Sequence, residues 1–303
     1  MLRAVIDIGS NTVKLLVADV RPDAIVPVLA RDRTTRLGAG GGGSGLLAPE
    51  AMERTVLAVQ EYLADARGLG AGAVRALATS AVREAANREV LARMLRDRCG
   101  LEVEVIDGRR EAELVYRGVA SDPAWRGRPV LVADVGGGSV EIILGINDRI
   151  EKHQSLPLGA VRLTEQFGQE DFAGLCAFLR ERLSAALDGC PAGGRQMIGT
   201  GGTIVTLAAI QVRERPRSHR AGPLPSGPTE VDHVVLFQDR LREVVARLHA
   251  MPLAERRRVP GLPPDRADIM VAGGLVFVVV MEILGLSDLA VSVRNLRYGA
   301  LVE

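Results

Sequence analysis

Asp7-Ile8-Gly9-Ser10-Asn11-Thr12-Val13-Lys14-Leu15-Leu16-Val17 aligns without a gap on Asp134-Val135-Gly136-Gly137-Gly138-Ser139-Val140-Glu141-Ile142-Ile143-Leu144, at a constant offset of 127 residues. Apolar runs flank each turn, Leu2 to Ile8 and Val13 to Val20 in the first copy, Val130 to Val135 and Val140 to Ile146 in the second. Each copy therefore reads as a β-hairpin. The turns carry chemistry. Gly9, Gly136, Gly137 and Gly138, lacking Cβ, let backbone N–H groups approach an anion, and Ser10, Asn11 and Ser139 add polar side chains, which together make a phosphate cradle. Asp7 and Asp134, one ahead of each turn, can hold a magnesium ion that neutralises the same phosphate. A single turn of this kind is commonly only a turn. A register-matched pair is a stronger signal, because two hairpins facing each other would grip a phosphate chain from both sides. Lys14 in the first copy is matched by Glu141 in the second, which suggests that one half grips charge while the other does acid–base work. The competing reading is a solvated charge on each strand.

At 303 residues the chain is long enough for two domains. The turn-rich stretch from Ala120 to Pro129 places their boundary near residue 123, giving domains 1–122 and 123–303. A formal net charge of +1 excludes nucleic-acid or membrane-surface binding by bulk electrostatics, so any polyanion must be held by local cations. Cys99, Cys176 and Cys190 have no metal-type spacing and leave an odd count, as expected of free thiols in a reducing cytoplasm. Met1 leads straight into a strand with no charged leader or apolar h-region. The longest apolar run, Ile269 to Met281, is broken by Gly273-Gly274, is too short to cross a bilayer, and reads as a core helix.

Along the first half, Arg31 to Leu37 reads as a third strand entering the glycine-rich stretch Gly38 to Gly45, a connector by composition or a lid over a ligand. Pro49 at a first helical position and Gly68 at the end bound a helix. Val74 to Ala78 reads as a strand. After it, Arg83 and Asn87 are spaced for one helical face, a seat for a phosphate, the alternative being a capping Ser80 and a solvated Arg83. Leu101 to Ile106 reads as a strand. The helix starting near Asp107 puts Glu111 in its first turn, where a carboxylate ordinarily serves the helix dipole. In the second half a strand is expected over Glu151 to Leu156, with helices over Gly159 to Phe167, Phe172 to Leu187, Val231 to Met251 and Arg266 to Leu284. Met197 to Ile204 delivers Gly201-Gly202 to a helix start, where amides could meet an anion. Val212 to Glu230, with Arg213, Arg215, Arg217, His219 and Arg220 among prolines, reads as a loop. Ala290 to Val293 is a strand, and a short helix begins at Arg297.

The series DIGSNTVKLLV, ATSAVREAAN, GRREAELVYRGV, VADVGGGSVEI, LPLGAVRLTEQF, IGTGGTIVTLAA, DRADIMVAGG and VSVRNLRYG, in that order, resembles the exopolyphosphatase and guanosine pentaphosphate phosphohydrolase family, within the actin, sugar-kinase and heat-shock ATPase superfamily. The resemblance covers essentially the whole chain and matches the short, two-domain members. It departs at Asn295-Leu296-Arg297-Tyr298-Gly299, where the family usually has GLREG, and at Gly40 to Gly43, where acidic or polar residues usually follow the LG pair. It implies an α/β protein of two ribonuclease H-like domains around a cleft that hydrolyses the terminal phosphoanhydride of inorganic polyphosphate. The alternatives are guanosine pentaphosphate hydrolysis and a non-catalytic sensor of guanosine tetraphosphate or ATP. The same resemblance implies Glu111 as the base, Glu141 as a second carboxylate at the water or metal, and Asp7, Asp134 and Glu141 as ligands of magnesium or manganese. Arg83 and the glycines and hydroxyls of both turns would bind phosphate. A monovalent cation such as potassium and a homodimer are also consistent with it.

Overall fold

The computed structural model describes residues 1–40, 45–214 and 228–303, the side chains of 228 and 229 excepted. The first half holds β1 (Leu2–Ile8), β2 (Thr12–Val20), β3 (Ile25–Thr34), α1 (Pro49–Gly68), β4 (Ala73–Ala78), α2 (Ser80–Glu84), α3 (Arg88–Cys99), β5 (Val103–Val105) and α4 (Gly108–Ala120). The second holds β6 (Val130–Val135), β7 (Val140–Ile146), β8 (Arg149–Leu156), α5 (Ala160–Phe167), α6 (Phe172–Leu187), β9 (Gln196–Thr200), α7 (Gly202–Glu214), β10 (Val235–Phe237), α8 (Gln238–Ala250), α9 (Leu253–Arg256), α10 (Met270–Leu284), β11 (Asp288–Val291) and α11 (Leu296–Leu301).

The strands form two sheets, β3-β2-β1-β4-β5 and β8-β7-β6-β9-β11-β10. In each, three antiparallel strands precede two that join in parallel, and among the described residues β10 alone is extra. The repeat extends to a local irregularity. The register of β2 on β3 shifts between Val17 and Ala18, and that of β7 on β8 between Leu144 and Gly145, again 127 residues apart. In both sheets the unpaired extra residue lies on the third strand, Val28 on β3 and Glu151 on β8.

Period-2 alternation sends side chains to both faces of each sheet. Ala4, Ile6 and Ile8 join Val56, Val59 and Leu95 in a core under α1 and α3. Leu131, Ala133 and Val135 join the core under α6, α7, α8 and α10. The opposite faces meet: Val5, Leu16 and Leu77 of the first sheet share one core with Val132, Ile143 and Ile198 of the second, through Leu114, Val115 and Leu296. Here α4, which follows β5, packs on β7 and β8, while α11 returns to β1 and β2. The two helices cross at glycines. A Cβ on Gly118 would lie 2.1 Å from Asn295 O, and one on Gly299 would lie 1.9 Å from Leu114 O.

Several elements differ from the sequence reading. The third strand runs Ile25–Thr34, because the turn at Arg21 to Ala24 (Arg21 N–H to Ala24 O, 2.9 Å) restarts pairing earlier. Arg83 and Asn87 do not share a helix: α2 ends at Glu84 and Ala85 is extended. Asn87 is instead bound to the backbone of Leu47 at both ends of its amide. Val235 to Phe237, expected as helix, pairs with β11 before α8 begins. The last core helix begins at Met270, with Pro264–Arg266 a separate 3-10 turn. Arg213 belongs to α7, whereas Arg215, Arg217, His219 and Arg220 lie outside the described residues, as does most of the glycine run. Among the described residues the three cysteines are free thiols, and no helix is long and apolar enough to cross a membrane.

Candidate active site

Both hairpin turns close on the same bond, Gly9 N–H to Thr12 O (3.1 Å) and Gly136 N–H to Ser139 O (3.0 Å). The chain after each hairpin then binds the turn's carbonyls. Ser10 O accepts from Gly38 N–H (2.7 Å), and Asn11 O accepts from Thr35 (3.0 Å) and Arg36 (2.9 Å). In the second copy the start of α5 does this: Gly136 O accepts from Ala160 N–H and Gly137 O from Val161 N–H, each at 2.9 Å, and Gly138 O from Gly159 N–H at 3.2 Å. With their carbonyls occupied, the turns keep the N–H groups of Ser10, Gly137 and Gly138 without a partner among the described residues. The turns face each other closely. A Cβ on Gly137 would lie 3.1 Å from Asn11 N, and one on Gly138 would lie 2.7 Å from Ser10 Oγ and 2.4 Å from Ser80 Oγ. Between them is a cavity of about 90 Å³ lined by Asp7, Lys14, Glu111, Asp134, Glu141 and Arg266, among others.

Strand register sets the charges. Asp7 lies opposite Lys14, and Asp134 opposite Glu141, the equivalent pairs of the two hairpins. Lys14 therefore belongs to the cavity rather than to a solvated strand face, and Glu141 is 1% exposed. Glu111 is buried at the start of α4, whose N-cap Asp107 accepts from Arg110 N–H (2.7 Å). Arg83, from α2, donates to Glu111 Oε2 (2.8 Å) and to Ile106 O (2.9 Å). Its guanidinium is thus the partner of Glu111. Ser155 Oγ donates to Glu141 Oε1 (3.0 Å).

Burial raises the carboxyls despite nearby cations. Asp7 lies above its ordinary value through burial, with Lys14 and Arg297 opposing. Asp134 is pushed up to about 6 by burial, with Lys14 opposing and Asp7 reinforcing. Glu111 is pushed up to about 7 by burial, against the Arg83 bond. Glu141 is held well above the carboxylate range by burial and by the charges of Glu111 and Asp134. Burial lowers Lys14, and Asp7 opposes it.

Three buried carboxyls, Asp7, Glu111 and Glu141, and the partly buried Asp134 offer only oxygen donors, each costly to ionise without a counter-charge, and fit a hard divalent cation. Among the described residues the group whose ligand atoms already lie within 4.8 Å of one another is Asp122, Asp232 and His233, outside the cavity and with Arg294 3.5 Å from Asp122; the cavity carboxyls are not drawn together to that degree. Of the expected site residues, the cavity gathers Asp7, Gly9, Ser10, Asn11, Glu111, Asp134, Gly136, Gly137, Gly138, Ser139, Glu141 and Gly202. Gly201 and Arg83 do not line it, although Gly201 packs against Asp134 as Gly202 does against Arg266. At φ +88° a Cβ on Gly201 would meet Asp134 Oδ1 at 2.1 Å, and one on Gly202 would meet Arg266 Nη1 at 2.4 Å. Arg266 and the partly buried Arg297 received no role from the sequence, although both lie in quoted motifs. Arg266 lines the cavity and donates to Asp32 (2.7 Å), while Arg297 donates to Leu15 O (2.9 Å) and its charge acts on Asp7.

Amides aimed at an anion beside buried carboxyls and cations can bind and cleave a phosphoanhydride. Residues 16–303 match the model of the Ppx/GppA phosphatase family. The chain is 34% identical over 294 residues to Exopolyphosphatase 2 of Mycobacterium tuberculosis, covering 90% of this chain and 88% of that protein. Its structure is similar to that of an exopolyphosphatase from Cytophaga hutchinsonii (TM-score 0.89, 29% identity, 100% of this chain and 97% of the other). It is also similar to that of the Aquifex aeolicus Ppx/GppA family member (TM-score 0.80, 32% identity, 100% and 96%). The paired turns, the carboxyl cluster and this coverage place the chain in the Ppx/GppA phosphatase family.

Proposed function

We propose that the protein is an exopolyphosphatase that releases orthophosphate from the end of inorganic polyphosphate, its two halves, 1–122 and 123–303, contributing one turn each. The observation that carries this reading is the pair of facing turns with free amides on a cavity lined by four carboxyls. The amides of Ser10, Gly137 and Gly138 and the hydroxyls of Ser10 and Ser139 bind the terminal phosphate oxygens. Glu111, oriented by Arg83, takes a proton from the attacking water as its oxygen bonds to the terminal phosphorus. The anhydride bond to the next phosphate breaks, and that phosphate leaves with the electron pair. A basic group pushed up to about 7 suits proton transfer near neutral pH. Asp7, Asp134 and Glu141 would hold magnesium or manganese, which when bound supplies charge neutralisation at the phosphates. Lys14 and Arg266 add fixed positive charge on the same cavity.

A second reading, guanosine pentaphosphate 5′-phosphohydrolase, is favoured by one feature. The turns also border a separate cavity of about 240 Å³ whose walls include Leu47, Ala85 and Val161, apolar surface that a nucleoside could use and a phosphate chain could not. Phosphate release measured on long polyphosphate, tripolyphosphate and guanosine pentaphosphate under one set of conditions decides between them. Inactivity on all three would refute both and return the cavity to a sensor role.

A further inference from the structure

Arg75, on β4, and Arg110 and Arg117, on α4, converge on one carboxylate, that of Glu303, two residues beyond α11. Both oxygens are used. Arg117 Nη1 donates to Oε1, while Arg110 Nη2 and Arg75 Nη1 (3.0 Å) donate to Oε2. Arg110 and Arg117 are two helical turns apart on one side of α4, so a single carboxylate spans the helix along its axis. The end of α11 is held to the first sheet as well, by Arg75 to Ala300 O and Arg3 to Leu301 O, each 3.0 Å. The Glu303 side chain is 17% exposed, and although partial burial opposes it, the bonds from Arg75 and Arg110 hold its carboxyl below the ordinary value.

The consequence lies at the other side of α4. Strand β4 carries Arg75 and leads into α2, which carries Arg83, and Arg83 donates to Glu111. One strand and its continuation thus grip α4 at two levels, Arg83 directly at Glu111 and Arg75 through Glu303 at Arg110 and Arg117. Because α4 packs on the second sheet, the register of Glu111 against Arg83 depends on what fixes α4 to β4. We propose that Glu303 is a positioning residue for Glu111, setting the axial position of α4 so that the Glu111 carboxylate stays on Arg83 and over the cavity. The proposal rests on the reading of Glu111 as the base.

An ion pair near the surface ordinarily adds little stability, so a structural role alone would leave turnover untouched. Glu303→Gln keeps the size of the side chain and removes its charge. With long polyphosphate and magnesium, kcat should fall about tenfold while KM stays within about twofold, the signature of a displaced base rather than a damaged binding site. Glu303→Asp should recover part of the loss, and Arg96→Gln, which breaks the exposed Arg96–Glu102 pair, should change nothing. Amide hydrogen exchange over residues 108–113 supplies a readout independent of turnover and should quicken several-fold in Glu303→Gln. Should that variant fail to fold, Arg117→Gln, which leaves Arg75 and Arg110 on Glu303, should show the same split between kcat and KM. Wild-type kcat with wild-type exchange in either variant would overturn the proposal. A wild-type protein inactive on all phosphate substrates would instead overturn the reading of the site, and the exchange comparison would still test the clamp.

Discussion

Replacing Glu111 by Gln should make the metal-free protein more stable at alkaline pH and nearly inactive. The Glu111 carboxyl is buried and pushed up to about 7 from its ordinary 4.5 by burial, even with Arg83 bonded to it. A raised carboxyl pKa means that the unfolded chain ionises first. Below pH 4.5 the group is protonated in both states and costs nothing. Between 4.5 and 7 the unfolded state loses its proton while the folded state keeps it, and stability falls. Above 7 both are ionised and the loss is constant. A gap of about 2.5 units corresponds to roughly 3 kcal/mol lost by pH 8.5, and to under about 1 kcal/mol at pH 5. The substituted amide has no charge to desolvate and keeps an oxygen for Arg83, so the variant escapes that loss. Urea unfolding in the presence of a chelator, compared at pH 5 and pH 8.5, should give near-equal stabilities at the lower pH and a variant about 3 kcal/mol more stable at the higher one. Turnover on polyphosphate with magnesium should drop by roughly 10²-fold to 10⁴-fold, the usual worth of a positioned base. A variant no more stable than wild type at pH 8.5 would refute the desolvated Glu111, and near-native turnover would reduce it to a helix-dipole residue.

Asp134→Asn should flatten the dependence of activity on magnesium as well as lower the rate, and magnesium titrations that superimpose on wild type would remove Asp134 from the metal site. Gly159→Ala places a Cβ within 2.3 Å of Gly138 C and 2.4 Å of Gly137 O, so the second turn must move; kcat/KM should fall at least about tenfold, and an unchanged value would show that this turn does not hold the reacting phosphate. Changing Arg215, Arg217 and Arg220 together to Ser should raise KM for long polyphosphate, more at low salt than at high, and leave tripolyphosphate little affected. Equal effects on both substrates, or none on either, would remove that segment from polyanion binding.

What was legible in the sequence was local. Each hairpin alternates with period 2 and ends in a turn built of glycine and small polar residues, and the repeat at an offset of 127 residues shows that the two are equivalent. What was not legible depends on partners distant in the chain. Arg83 and Asn87 have helical spacing, yet Asn87 is claimed by Leu47 and Arg83 by Glu111, 40 and 28 residues away, and α2 breaks between them. The strand at Val235 to Phe237 is three residues long and exists only because β11 offers it an edge. Arg266 was one arginine among many until Gly202 left room for its guanidinium and Asp32 oriented it.

Glu111 shows why a local pattern stops short of chemistry. A glutamate in a helix's first turn stabilises the helix dipole whether it faces water or a cleft, and nothing within α4 distinguishes the two. The distinction is desolvation. Because α4 crosses to the second sheet and is pinned against α11 at Gly118 and Gly299, the start of the helix is drawn into the gap between the hairpins, beside Asp7 and Asp134. There a carboxylate that would titrate near 4.5 in water titrates near 7. A dipole residue thereby becomes a group able to accept a proton at neutral pH, and the crossing that causes it joins Gly118 to Asn295 and Leu114 to Gly299, far apart in the chain.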